Sequence, residues 1–202
     1  MNEMVDPKYF VYPRKYMAGQ AKILSSKEID AIFKLLATTR DKVMFALGIY
    51  SGMRIGEIIR LRQDQAFTED GGVRYQFTVK RLKKRSTVYS DIPIHPKLRQ
   101  FLKDYRKEVK PSIWLFPSSE SVEGYLSRAR AHEILAAAFD TLKLDGASTH
   151  SMRRTCLTVM SRSGVPLRTI QEISGHSNLG QLQAYLQVDP EDKHRAINLL
   201  KY

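Results

Sequence analysis

The sequence predicts a mainly helical α+β domain with a small antiparallel β-hairpin inserted early in the chain. Three observations predict it. Apolar residues recur at helical spacing along most of the 202 residues. Two β-rich runs, VRYQFTVK and STVYSDIPI, interrupt that pattern once and flank a basic RLKKR. Gly146, Gly164, Gly175 and Pro190 then punctuate a helical remainder. The hydrophobic content of 43% supplies a core and argues against wholesale disorder. The length suits one domain with a short extension.

Residues 1–24 read as an irregular arm or linker, and 25–202 as the domain. SSKEIDAIFKLL opens the first helix: Ser25 and Glu28 have capping-box spacing, and Ile29, Ile32, Phe33 and Leu36 form an apolar stripe. RDKVMFALGIYSG is a second, more buried helix ending at Gly52, and RIGEIIRLR restarts a helix at once. After the hairpin, HPKLRQFLKDYRKEV returns to helical periodicity, and IWLFP is a short apolar piece. Helices are then expected over about 127–143, 149–163, 166–174, 179–187 and 191–201, the last belonging to a C-terminal segment 190–201.

Lys and Arg number 33 against 21 Asp and Glu, a formal net charge of +12. Such a charge points to a polyanionic partner, nucleic acid first, or to a basic protein with no specific partner. One cysteine, Cys156, excludes a disulfide within the chain and a Cys-rich zinc site. The five histidines lack metal-ligand spacing, so no metal is expected. The N-terminus carries charges and prolines and lacks the apolar run of a signal peptide. No stretch approaches the roughly 18 apolar residues of a membrane span. The expectation is a cytoplasmic protein with no membrane partner.

Four clusters could do chemistry. In SGMRIGEIIRL, Arg54 begins a helix and Glu57 faces the same side. The pair is either a surface ion pair or an arginine held so that its fork grips a phosphate. In VKRLKKR, five of the six residues from Lys80 to Arg85 are basic. They form either a solvated tip that touches DNA phosphates or a tip that also sends one lysine into an active site as proton donor. Nothing local selects among Lys80, Lys83 and Lys84. In THSMRRT, His150 and Arg153 are neighbours on one helical face, which alone is an ordinary first turn. In GHSNLGQLQAYLQ, Tyr185 lies beside the apolar stripe of Leu179, Leu182 and Leu186, and alone reads as packing.

Taken in order, these pieces change meaning. SGMRIGEIIRL, the basic hairpin, HSMRRT, SGHSN and AYL resemble the catalytic domain of the tyrosine recombinases, the phage-integrase family, over about residues 25–187. The hairpin and the short length look most like the small recombinases that invert fimbrial promoter segments. Two positions depart from the family pattern: Ser174 stands where Leu often precedes Gly-His, and Arg154 where His often follows the second Arg. Residues 1–24 are too short for the helical N-terminal domain most members carry. A naturally minimal recombinase and a fragment both fit, with the Met1 start leaning towards the former.

The resemblance implies the tyrosine recombinase catalytic fold and a site-specific recombinase that cuts and rejoins DNA through a covalent 3′-phosphotyrosine, in integration, excision or inversion. It makes Tyr185 the nucleophile, and Arg54 and Arg153 the bidentate grips on the phosphate. A phenol has a pKa near 10, so it needs help: His150 is the candidate base and His176 a hydrogen-bond donor to the phosphate. Lys83 is the chosen donor to the departing 5′-hydroxyl, with Lys80 and Lys84 still open. Glu57 takes a supporting role, and Lys80, Arg81, Lys84, Arg85 and Arg154 are expected DNA contacts. One phosphodiester replaces another, so no metal, ATP or other cofactor is implied, and the sequence has neither a P-loop nor a carboxylate metal cluster. Double-stranded DNA is the implied partner, with a homotetramer on paired sites linked by the C-terminal helix; a helix packed on its own domain is the alternative. A prokaryotic, viral or mobile-element origin goes with this family. The rivals are a DNA-binding accessory factor on the same scaffold and a type IB topoisomerase-like activity.

Overall fold

The computed structural model describes residues 21–83, 86–185, 197, 198 and 200. Lys84 and Arg85 at the hairpin tip lie outside the described residues, as does most of the expected C-terminal helix, of which Ile197 and Asn198 are described as helical.

The elements are α1 (Ser26–Leu35), α2 (Thr39–Ser51), α3 (Ile55–Ile58), α4 (Gln63–Ala66), β1 (Gln76–Lys83), β2 (Ser86–Pro93), α5 (Pro96–Arg106), α6 (Arg128–Thr141), α7 (Thr149–Arg162), α8 (Leu167–Ser174) and α9 (Leu179–Tyr185). This is the expected mainly helical fold with one antiparallel hairpin. The Ser25–Glu28 capping box forms at α1, each partner satisfying the other's backbone N–H. Gly52 ends α2 as read, in the left-handed region at φ 65°. The restart after it is shorter than its sequence suggested: α3 is one turn, and the chain then bridges Arg62 to Trp114, which lays the apolar piece Leu115–Phe116 into the core.

Helix α2 is the hub. Its residues Val43–Gly48 are all buried, and it packs against α5, α7, α3 and α6. At the crossing with α7 the backbones approach closely: a Cβ on Gly48 would lie 2.7 Å from both Cβ and Sδ of Met152. Glycine is therefore what lets α7 sit against the hub. Cys156, one turn further along α7, is buried, and that burial pushes its thiol up to about 12, so it is inert packing.

The hairpin pairs Gln76 with Pro93 through Lys83 with Ser86. Its inward side chains Phe77, Val79, Ile92 and Ile94 are buried and Tyr89 is exposed, the alternation expected of a sheet with one covered face. Strand β2 touches α8. A small second core of Leu157, Ile170 and Leu182, with Met160, Val165 and Leu167 against it, holds α8 and α9 on α7. Leu182 is thus the anchor of α9, whereas Leu179, expected in the same stripe, is exposed, and Leu186 lies outside the described residues.

Candidate active site

Two helices end in left-handed glycines on one side of the molecule. Gly52 ends α2 at φ 65° and Gly175 ends α8 at φ 67°. Each turn presents a backbone carbonyl that no helical N–H can reach. Arg153, from the first turns of α7, supplies both partners: its Nη1 donates to the Gly52 carbonyl at 2.6 Å and its Nη2 to the Ser174 carbonyl at 2.7 Å. At 1% exposure it is among the most buried large side chains described. A planar fork is what this geometry needs, because one lysine ammonium would not span both carbonyls from the same stem.

That staple fixes three chain segments relative to one another. Arg54 sits two residues beyond Gly52, at the N-cap of α3. Glu57 Oε2 accepts the Arg54 backbone N–H at 2.8 Å, and Oε1 accepts from Nη1 at 3.3 Å. Glu57 is therefore both a cap and a guide for the guanidinium, which stays partly open to solvent. His150 lies one turn ahead of Arg153, its backbone N–H capped by Ser148 Oγ, and its ring is solvent-accessible. Partial burial, then the charges of Arg153, Arg54 and Arg128, hold its pKa below the usual histidine value.

His176 follows Gly175 and is buried. Arg153 Nη2 lies 3.4 Å from Nδ1 and 3.3 Å from Nε2. An in-plane donor equidistant from both nitrogens would overlap the Cε1 edge, so the guanidinium rests on the ring face. The shortest contact to the ring is Ser174 Oγ to Nδ1, at 2.7 Å. The Gln171 carbonyl accepts from both the Gly175 N–H, at 2.7 Å, and the Ser174 hydroxyl, at 3.3 Å. Ser174 Oγ is thus the short hydrogen-bond partner of His176 Nδ1, and it also donates to the Gln171 carbonyl. Ser174, noted in the sequence as a departure, orients this histidine.

The structure brings Arg54, Glu57, His150, Arg153 and His176 to one side of the domain. Lys80, Arg81 and Lys83 lie on β1 and Tyr185 ends α9, but their side chains lie outside the described part of the molecule. The expectation that Arg154 contacts DNA is corrected. It is buried at 3% exposure, and its Nη1 donates to the Ala21 carbonyl, while Thr155 Oγ1 accepts from the Leu24 N–H. Both side chains strap residues 21–24 onto α7, so Arg154 holds the domain together. One cation was missed by the sequence reading. Arg128 opens α6, its Nη2 lies 2.7 Å from where a Cβ on Gly56 would be, and its charge reaches His150. The signal for it was an arginine in a helical first turn without an acidic residue, against the helix dipole. Among the described residues, no group of three or more His, Cys, Asp or Glu could hold a metal, and no helix is long and apolar enough to cross a membrane.

The sequence model of the phage integrase family matches residues 22–192. The chain belongs to that family. Among its relatives are tyrosine recombinase XerD of Rickettsia prowazekii, 29% identical over 91% of this chain and 64% of the relative, and XerD of Lacticaseibacillus casei, 29% identical over 80% and 57%. The chain thus spans between about half and two thirds of the curated relatives it matches. The integrase-family fold is equally clear in solved structures. XerA recombinase superposes with a TM-score of 0.73 at 17% identity, covering 91% of this chain and 67% of that one. XerH bound to its difH substrate gives 0.67 at 17% identity, covering 98% and 59%.

Proposed function

We propose that this chain is a site-specific DNA recombinase that cleaves and rejoins DNA through Tyr185. The observation that carries the reading is the stapled cluster: Arg54, His150, Arg153 and His176 converge on one side of the domain, where Arg153 of α7 ties down the helix ends that precede Arg54 and His176. Residues 25–202 are the catalytic unit and 1–24 an arm. Tyr185 Oη attacks phosphorus and gives its proton to His150, while the bond from phosphorus to the 5′-oxygen breaks and Lys83 protonates that oxygen. Arg54, Arg153 and a hydrogen bond donated by His176 stabilise the extra charge on the non-bridging oxygens. A 5′-hydroxyl from another strand reverses the step, so the cycle consumes neither ATP nor a metal ion. We further propose a tetramer on paired DNA sites, joined through the C-terminal segment, an activity of the promoter-inverting kind, and a cytoplasmic location.

The test is a pool of nicked duplexes, randomised around the nick so that cleavage traps the intermediate. A covalent protein–DNA band on a denaturing gel is expected, and Tyr185→Phe should lack it. Absence of the band from the unaltered chain, or its persistence in Tyr185→Phe, contradicts the reading.

Two further outcomes follow from the site. An ordinary histidine is half protonated near pH 6.5. His150 is held below that value, so it keeps its base form as the pH falls through 6.5. The acid limb of the cleavage rate should lie below pH 6.5, and Arg128→Gln should move it upward by removing one of the charges; a limb unmoved by that change contradicts the electrostatic origin. Ser174→Ala removes the hydroxyl that meets His176 Nδ1. A hydrogen bond of about 1 kcal/mol corresponds to a loss of somewhat less than tenfold in cleavage rate. Denaturant midpoint and cleavage measured together separate this from a loss of folding, because Ser174→Thr keeps the hydroxyl and should retain most of the rate.

A further inference from the structure

We propose that Arg128 is a third phosphate-binding guanidinium of this site, gripping a backbone phosphate of the DNA strand that is cut. The inference rests on the recombinase reading and adds a residue to its substrate contacts. Arg128 is exposed at the start of α6. Its Nη2 rests against the backbone of Gly56, two residues after Arg54 and one before Glu57. Any other residue at 56 would place its Cβ 2.7 Å from that nitrogen. Glycine is a poor helix residue, and here it opens the space in which the guanidinium lies.

Among the described residues, the cluster carries more cations than carboxylates. Arg54, Arg128 and Arg153 all bear on His150. The carboxylate beside them, Glu57, is committed to the N-cap and fork of Arg54. Arg128 forms no ion pair with a described residue, whereas Arg130, on the same helix, is tied to Glu133 at 3.1 Å. Like charges gathered at the unfavourable positive end of a helix repel one another, and a phosphodiester bound among them relieves that repulsion. The cleavage transition state carries more negative charge than the bound phosphodiester, so the third guanidinium also favours the reaction.

The test uses the full chain, Arg128→Ala, Arg130→Ala and Gly56→Ala. Binding to a mixed-sequence duplex is followed by fluorescence anisotropy across a salt series, and cleavage on the nicked pool by adduct formation. Loss of one phosphate contact should lower the slope of log affinity against log salt by about 1 for Arg128→Ala. Cleavage should fall by about 10²-fold. Arg130→Ala should keep the slope and the rate. Gly56→Ala, which retains every charge but displaces the guanidinium, should slow cleavage, and should add little to Arg128→Ala in the double variant. An unchanged slope and rate in Arg128→Ala overturns the proposal, as does an equal loss in Arg130→Ala. If the unaltered chain forms no adduct, the recombinase reading falls, and the salt slope alone still decides whether Arg128 contacts phosphate.

Discussion

Arg153→Ala should cost about 2–5 kcal/mol of stability and at least about 10²-fold in DNA cleavage. The stability loss has a specific origin. The guanidinium is 1% exposed and satisfies the carbonyls of Gly52 and Ser174, which end two different helices. Without it, two buried acceptors lose their donors, each worth about 1–3 kcal/mol, and a side-chain-sized space opens between α2 and α8. Because the same group fixes the backbone of Arg54 and of His176, the chemistry should be lost even in the molecules that remain folded. Arg153→Lys separates the two effects. It keeps the charge but reaches one carbonyl at most, so stability should recover in part while cleavage stays low. Urea denaturation and adduct formation on nicked DNA provide the two readouts. Wild-type stability in Arg153→Ala contradicts the staple.

Gly48→Leu should destabilise the fold by about 1–3 kcal/mol or more, for the opposite reason. Its Cβ alone would stand 2.7 Å from Met152 Cβ, inside the crossing of two packed helices, where backbone has to move. The helix displaced is α7, which carries His150 and Arg153, so cleavage should fall further than stability explains. Gly180→Ala makes the contrast. Among the described residues its Cβ meets Asn178 Oδ1, at 3.5 Å, and alanine favours a helix, so thermal unfolding should stay at or above the wild-type temperature. Equal effects at the two glycines contradict the close approach of α2 and α7.

The helices and hairpin were legible in the sequence because burial imposes a period. Ser25 with Glu28 marked one helix start, Gly52 and Gly175 marked two ends, and the β-rich runs VRYQFTVK and STVYSDIPI marked the hairpin, whose covered face of Phe77, Val79, Ile92 and Ile94 the structure supplies. The one-turn α4 was missed because QDQA carries no apolar stripe, and its cap is a Gln65 side chain reaching back to Arg62. Order along the chain is what pointed to Arg54, His150, Arg153, His176 and Tyr185. Their supports were not legible: Arg153 binds backbone carbonyls, which no motif displays. Arg154 was expected to contact DNA, but it is buried and donates to Ala21, a residue 133 positions away that no local pattern could connect to it. Arg128 lies 22 residues before His150, and its place beside Gly56 is a long-range contact with no local signature.

The most direct measurement is to identify the amino acid joined to DNA. The chain has ten tyrosines. Trypsin cuts after Arg168 and Lys193, and the peptide between them, Thr169–Lys193, contains Tyr185 as its one tyrosine. The covalent complex, digested with nuclease and trypsin and read by mass spectrometry, should carry its nucleotide on that peptide, at Tyr185. A nucleotide on any other peptide, or on a residue other than Tyr185 within it, contradicts the assignment of the nucleophile.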